Sequence, residues 1–236
     1  PRLRPMQQLA LDLKLADFAL FDTFYAGPNK AVLASAKQAA TCQGQQVVWI
    51  WGGQGSGRSH LLQAAVATAA AASEVCAWLP LNDPDLRPGM LEGMGNLDLL
   101  CVDDVDRVAG NDDWERALFR VFEDLRNNNG RLLVTASAAP GEVSFNLRDL
   151  ASRLASGPTW RLQAMSDEDL LAALQMRSKW RGLELPNEVG AFLLRRVERT
   201  PAALFRLLDQ LDGEALTQKR RLTVPFVKEV LGGASF

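Results

Sequence analysis

Residues 52–59, with the sequence GGQGSGRS, constrain the fold more than any other stretch of this chain. Glycine at 52 and 57 and serine at 59 keep the spacing G-x-x-x-x-G-K-[ST] of a phosphate-binding loop, with Arg58 in the lysine position. A β-branched and aromatic run over 47–51 predicts a strand before the loop, and an alanine- and leucine-rich segment predicts a helix after it. This is the context that the motif requires, although a glycine-rich turn of structural use stays the alternative.

Each residue of this loop has a chemical reason to contact a nucleotide. Glycines let the backbone wrap around phosphate oxygens, and the start of the following helix directs amide hydrogens at them. Arg58 keeps the positive charge of lysine but presents a planar fork, while the Ser59 hydroxyl is a ligand for Mg²⁺. His60 is expected to be packed or solvated rather than catalytic. The candidate nucleotide-binding residues of this stretch are Gly52, Gly53, Gly55, Ser56, Gly57, Arg58, Ser59 and His60.

A second motif, LDLLCVDDVD at residues 97–106, predicts a strand that ends in acidic side chains. Ligands of open α/β sheets collect at the carboxyl ends of the strands, so Asp103 is a candidate for the Mg²⁺ shell. Asp104 stands where many ATPases place a glutamate, and its side chain is one methylene shorter. We therefore expect slow or absent hydrolysis in this chain alone. An acidic loop after a strand is the alternative.

Strand-like and helix-like segments alternate up to about residue 162, and only helical patterns follow. Besides 47–51, strands are predicted at 76–81, 97–102 and 131–136, with a helix at 114–127. After the change, Ser166 and Pro201 are helix start signals, and helices are predicted at 167–181, 187–199, 201–219 and 224–231. The fold class is α/β, with a parallel P-loop domain at 20–162 and a helical lid at 163–236.

Composition excludes several classes of protein. The 26 lysines and arginines against 28 acidic residues leave a net charge of −2, so we expect no direct sequence-specific DNA binding. Three separated cysteines without metal-ligand spacing favour a reducing cytoplasm. The most apolar region, residues 61–81, is interrupted by polar side chains and is too weak for a membrane span.

Taken together in this order, the motifs resemble those of the DnaA-type AAA+ proteins, the module of the bacterial replication initiator and its short paralogues. The resemblance includes FDTFYAGPNKAVLASAKQAA (21–40), GGQGSGRSHLL, RLLVTASAAP (131–140), LRDLASRL (147–154), and two lid segments, MSDEDLLAALQMRSKWRGLELPNEV and LTVPFVKEVL. It implies a parallel five-stranded sheet followed by a small all-helical lid, with the nucleotide at their junction. The expected cofactors are ADP or another nucleoside diphosphate, with ATP as the alternative, and Mg²⁺.

The resemblance also implies roles for residues outside the two motifs. Phe21 and Phe24 would line the base pocket, and Thr135 or Ser137 would bring a polar group to the terminal phosphate. Arg153 maps onto the arginine finger, the side chain that enters a neighbouring subunit's nucleotide site. The lid arginine of the family is missing, because Ala202 stands near its position. Arg199 or Arg206 is the candidate substitute, with a solvated surface charge as the alternative for Arg206.

Residues 7–15, QQLALDLKL, resemble the peptide by which proteins dock on the β sliding clamp of DNA polymerase III. In an extended peptide the alternating leucines point to one side and fill an apolar groove, while the glutamine bonds at its rim. A half-buried strand is the alternative, since it shows the same alternation. The candidate partner-binding residues are Gln8, Leu9, Leu11 and Leu13, in an N-terminal extension over 1–19.

The function implied by the resemblance is negative regulation of replication initiation. The chain would dock on the clamp and stimulate hydrolysis of ATP bound to its partner, the DnaA initiator. Assembly of the chain into a homo-oligomer is a further possibility. Two other classes compete: an independent AAA+ ATPase, such as a helicase loader or transposition helper, and a small-molecule kinase. Neither explains residues 8–13.

Overall fold

The computed structural model describes residues 19–218 and 220–233. Its centre is a five-stranded parallel sheet with the strand order β2-β3-β4-β1-β5. The strands are β1 Val47–Trp51, β2 Cys76–Pro80, β3 Leu99–Asp103, β4 Arg131–Ala136 and β5 Thr159–Arg161. The predicted α/β class with five parallel strands and a helical lid is confirmed. The four strands predicted individually are present, with ends shifted by one or two residues in β2 and β3.

Helices cover both faces of the sheet, and the strands alternate their side chains between them. In β1, Val47 and Trp49 face one apolar cluster, and Val48 and Ile50 face the other. The helices of this part are α1 Lys30–Ala40, α2 Arg58–Ala71, α3 Asp112–Asn127 and α4 Arg148–Leu154. The first two pack in the cluster with Ile50, and the last two pack in the cluster with Trp49. Short 3₁₀ helices occur at Phe21–Thr23, Gly27–Asn29, Pro88–Leu91, Met94–Asn96, Val105–Val108 and Pro140–Glu142.

The lid has four helices around a core of its own: α5 Asp167–Trp180, α6 Asn187–Leu194, α7 Pro201–Gln218 and α8 Val224–Gly233. Ser166 caps α5, and Asp169 completes the capping box, as its start signal predicts. The prediction that α6 extends to residue 199 is wrong, because the helix ends at Leu194. Residues 195–200 form turns and bends instead, and Pro201 disfavours helical geometry at the residue before it.

The N-terminal segment is joined to the connection between the sheet and the lid. Asn29 is buried, and its side-chain amide donates to the Gln163 carbonyl at 3.1 Å and accepts from the Gln163 amide at 2.7 Å. Nearby, the Tyr25 hydroxyl donates to Asp169 at the start of the lid, at 3.3 Å. Both contacts lie beside the point where the lid begins.

The position of α4 depends on one buried carboxylate of α3. Glu115 is fully buried and accepts hydrogen bonds from three backbone amides, those of Gly110 at 2.7 Å, Asn146 at 3.1 Å and Leu147 at 2.6 Å. Leu147 is the residue from which α4 starts. The carboxylate therefore ties the loop before α4 to the first turn of α3.

We predict that Glu115→Ala lowers the free energy of unfolding by about 3 kcal/mol, because it leaves several partly buried amides without an acceptor. The matched control is Asp113→Ala, an exposed acid in the same first turn, for which we expect a loss below about 1 kcal/mol. Urea unfolding followed by circular dichroism measures both. Equal losses in the two variants would contradict the role given to Glu115.

Candidate functional site

A cleft of about 620 Å³ lies at the carboxyl ends of the strands, between the glycine-rich loop and the lid. Residues 54–60 of the loop and of the first turn of α2 form one side. Polar residues that follow β2, β3 and β4 form the floor, and α7 of the lid closes the other side. Outside the loop, the lining residues are Asn82, Asp104, Asp106, Arg107, Ser137, Pro201, Ala202 and Phe205.

The loop has the backbone geometry of a phosphate cradle. Gly55 and Gly57 have φ of +73° and +101°, in the left-handed region that favours glycine. A Cβ on Gly57 would also lie 2.9 Å from the Phe24 ring. No side chain of the described residues caps the start of α2, so its first amides stay available to a ligand. The Ser56 hydroxyl is buried and has no hydrogen-bond partner within the described part of the chain. The loop therefore fits phosphate oxygens.

Arg58, in the lysine position of the motif, forms an ion pair with Asp104. The Arg58 Nη2 and Asp104 Oδ1 atoms are 2.8 Å apart, and the two side chains are only 12% and 15% exposed. Among the described residues, the Nη1 atom of Arg58 is buried without a hydrogen-bond partner. Burial raises the pKa of Asp104, while the positive charge of Arg58 opposes that rise. Of the two terminal nitrogens of the guanidinium, Nη2 is thus paired with Asp104 and Nη1 is available to a ligand.

The carboxyl ends of β3 and β4 are joined by hydrogen bonds beneath the cleft. The Thr135 hydroxyl donates to Asp103 and accepts from the Asp104 amide at 3.0 Å, and Asp103 and Thr135 are both buried. Ser137 lies in the lining instead, where its hydroxyl donates to Asp106. Of the two sensor candidates, Ser137 is therefore the one whose side chain borders the cleft.

The two residues predicted to hold Mg²⁺ differ in their exposure, and Asp103 is not among the residues that line the cleft. Ser59 is exposed in the cleft, and Asp103 lies below it with one oxygen engaged by Thr135. Within the residues that the structure describes, no group of three or more His, Cys, Asp or Glu side chains could hold a metal.

Phe21 and Phe24 are buried in the apolar cluster beside α2 and do not line the cleft. Phe24 makes an edge contact with the His60 ring, with the ring centroids 5.5 Å apart. The His60 Nε2 atom lies 2.9 Å from the Leu20 carbonyl, so the protonated nitrogen donates to it. His60 borders the cleft as well and therefore links the N-terminal segment to the phosphate loop.

Arg153 is placed away from the cleft of its own chain. It lies in the last turn of α4, is 44% exposed, and forms an ion pair with Glu123 of α3 at 3.1 Å. The lid arginines are not in the lining either: Arg199 pairs with Asp167 at 3.1 Å, and Arg206 is exposed. Ala202, which stands near the position expected for a lid arginine, borders the cleft and lies against Gly55.

Several lining residues were not among the predicted site residues, including Asn82, Asp106, Arg107 and Phe205. Asn82 follows β2, so the rule that ligands collect at the carboxyl ends of parallel strands could have found it. Asp106 is the last residue of the acidic motif and Arg107 follows it directly, whereas Phe205 had no signal beyond its place in a predicted helix. The docking candidates Gln8, Leu9, Leu11 and Leu13 lie outside the described residues.

The chain matches two family models, one on each side of the connection to the lid. Residues 89–162 match the ATPase domain of bacterial DnaA, and residues 167–231 match the lid domain of Hda. With the sheet order and the phosphate loop, these matches make the chain a DnaA-like AAA+ protein. The lid segment is similar to the lid domain of Hda, and the combination of the two parts is consistent with Hda.

Solved structures show the same fold. Domain III of the Thermotoga maritima replication initiation protein DnaA matches with a TM-score of 0.79 and 22% identity, over 92% of this chain and 97% of that one. AMPPCP-bound DnaA from Aquifex aeolicus gives 0.67 and 20%, over 79% and 62% of the two chains. The Thermotoga maritima RuvB Holliday junction branch migration motor gives 0.64 and 17%, over 86% and 67%. In residues 19–218 and 220–233, no helix has the length and apolar character needed to cross a membrane.

The contacts of His60, the one histidine of the chain, generate a pH prediction. Burial lowers the pKa of its imidazole below 6.5; Arg177 acts in the same direction, and the bond to Leu20 opposes it. The unfolded chain then binds more protons than the folded chain, so stability is lost as pH falls from 6.5 towards the folded pKa. We expect an NMR titration of the untagged, nucleotide-free protein to give a single imidazole midpoint below 6.5.

Urea unfolding at pH 7.5 and 5.5 tests the linked loss of stability, with His60→Gln as the comparison. The wild type should lose more stability between the two pH values than the variant does. An imidazole midpoint at or above 6.5, or equal losses in both proteins, would contradict this account.

Proposed function

We propose that this chain is a nucleotide-bound regulator of replication initiation that stimulates hydrolysis of ATP held by the initiator DnaA. The observation that carries the proposal is the position of Arg153 in a DnaA-like protein whose lid segment is similar to that of Hda. The side chain is half-exposed on α4 and outside its own cleft, so it is available to a neighbouring subunit. A cytoplasmic location accompanies this function.

The chain's own cleft would hold a nucleoside diphosphate with Mg²⁺ as a resident ligand. Loop amides at the start of α2, the Ser56 hydroxyl and Arg58 Nη1 would bind phosphate oxygens, with Ser59 and Asp103 at the metal. Asp104 is paired with Arg58, and its shorter side chain stands where related ATPases use glutamate to orient water. Hydrolysis by this chain alone would therefore be slow or absent.

The chemistry would take place in the partner's site. Water attacks the γ-phosphorus of ATP bound to the initiator, the bond between the γ-phosphorus and the bridging oxygen breaks, and ADP and phosphate are left. Negative charge spreads over the oxygens of the transferred group in the transition state, and a guanidinium placed there stabilises that charge. Arg153 would provide this group in trans, without the chain consuming its own nucleotide.

Contact with DNA would be indirect, through the β sliding clamp. Gln8, Leu9, Leu11 and Leu13 follow the pattern of a clamp-docking peptide, in which apolar side chains fill a groove and the glutamine bonds at its rim. A net charge of −2 gives no basic field of its own for a DNA backbone. Docking on a clamp already loaded on DNA would raise the local concentration of the regulator near its target.

We predict that Arg153→Ala lowers the stimulated rate of ATP hydrolysis by the initiator by about 10³-fold, with nucleotide and clamp affinities unchanged. A finger acts on the transition state, so its loss affects rate far more than binding. The control is Arg148→Ala, a second exposed arginine of the same short helix. Single-turnover hydrolysis of initiator-bound ATP, with clamp loaded on DNA, measures the rates.

The two variants distinguish a finger from general loss of positive charge on α4. Arg148→Ala should stimulate hydrolysis nearly as well as the wild type. If Arg153→Ala also stimulates at the wild-type rate, the trans mechanism does not apply to this chain. If both variants fail equally, α4 contributes charge to docking and no specific finger.

We also predict that replacing Gln8, Leu9, Leu11 and Leu13 together by alanine abolishes clamp binding while the thermal unfolding temperature stays unchanged. The control changes the intervening side chains instead, Asp12→Ala with Lys14→Ala, which point to the opposite side of an extended peptide. Surface plasmon resonance on immobilised clamp measures binding. Unchanged affinity in the fourfold variant, or a large loss of thermal stability, would return the segment to the strand interpretation.

A further inference from the structure

The ion pair between Arg58 and Asp104 sits where a nucleotide's terminal phosphate would meet the protein. Arg58 is the first residue of α2, and a cation there is disfavoured by the positive end of the helix dipole. The Asp104 carboxylate offsets this unfavourable interaction, with its Oδ1 atom 2.8 Å from Arg58 Nη2 and both side chains largely shielded from water. The carboxylate thus occupies a place beside the guanidinium that an anionic phosphate would otherwise take.

The position of the Asp104 carboxylate is fixed by its backbone. The residue has φ of +56°, a left-handed conformation that aspartate and asparagine tolerate better than most side chains. Its amide donates to the Thr135 hydroxyl, which in turn donates to buried Asp103. These bonds attach Asp104 to the ends of two central strands, so it cannot withdraw easily from an incoming ligand.

The charges that line the cleft balance one another. Arg58 and Arg107 are positive, Asp104 and Asp106 are negative, and Arg107 also lies 3.6 Å from Asp104. The lid side of the lining consists of Pro201, Ala202 and Phe205, none of which is charged. The lining therefore offers Arg58 Nη1 to a phosphate. Its second cation, Arg107, already lies beside Asp104, and the described residues on the lid side add no charge to balance a third phosphate.

We propose that Asp104 is a specificity-determining residue of this cleft: by holding Arg58 it makes the site favour a nucleoside diphosphate over the triphosphate. The proposal rests on the nucleotide binding proposed above and names the residue that decides its specificity. With the diphosphate, Arg58 keeps Nη2 on Asp104 and gives Nη1 to phosphate. With the triphosphate, the added phosphate meets the Asp104 carboxylate, or it must break the ion pair.

The experiment is calorimetric titration of the full chain, with Mg²⁺, using ADP and a nonhydrolysable ATP analogue. The measured quantity is the ratio of the two dissociation constants, which cancels effects common to both ligands. Asp104→Asn keeps the size and the tolerance of positive φ but removes the charge. We expect the wild type to favour ADP, and the variant to reduce that preference about tenfold or more.

Asp106→Asn is the matched control, because it removes another carboxylate from the same lining. That carboxylate accepts a hydrogen bond from Ser137 and does not pair with Arg58. Its ratio should change much less than that of Asp104→Asn. If Asp104→Asn does not fold, as judged by circular dichroism, Asp104→Gly supplies the same test with a residue suited to φ of +56°.

The outcomes separate this proposal from the proposed function. An unchanged ratio in the folded Asp104 variant, with ADP still bound, overturns the specificity role and leaves nucleotide binding intact. An equal shift in Asp106→Asn overturns it as well, because net charge alone would then suffice. A wild type that prefers the triphosphate contradicts it directly. A folded wild type that binds neither ligand overturns the proposed nucleotide site itself.

Discussion

Burial of both faces of the parallel sheet is the constraint on which the rest of the structure depends. Trp49, Leu100 and Leu133 are fully buried by helices on one side of the sheet or the other. Polar side chains are therefore confined mainly to the ends of the strands, and parallel strands put all their carboxyl ends at one edge. The phosphate loop, Asp104 and Ser137 meet at that edge because the apolar faces leave them no other position.

Local patterns explain why much of this could be predicted from the sequence. The strand at 47–51, the glycine-rich loop and the helix after it are adjacent in the chain, and each has a strong residue-type signal. The strand β5 was not predicted individually, because it has three residues and two of them are exposed. Helix α6 was predicted too long, because its apolar spacing continues through Val197 into a segment that forms turns and bends before Pro201.

Contacts between distant residues were the part of the site that sequence patterns could not provide. The motif identified both Arg58 and Asp104, but it did not indicate that they pair with each other. Thr135 and Ser137 were equal candidates in the sequence, and only the strand register places one below the cleft and the other at its surface. Glu115 had no signal, since a glutamate in an amphipathic helix is ordinarily solvated.

The two hydrogen bonds between Asn29 and Gln163 have a mechanical consequence. They join residues 134 positions apart, at the place where the chain leaves the sheet for the lid. The connection between the sheet and the lid is therefore bonded to a second segment of the chain, so a displacement of Gln163 would also displace Asn29. A rotation of the lid must either carry the Gly27–Asn29 turn with it or break both bonds at once. The orientation of the lid relative to the sheet is thus coupled to the position of the segment that precedes the sheet.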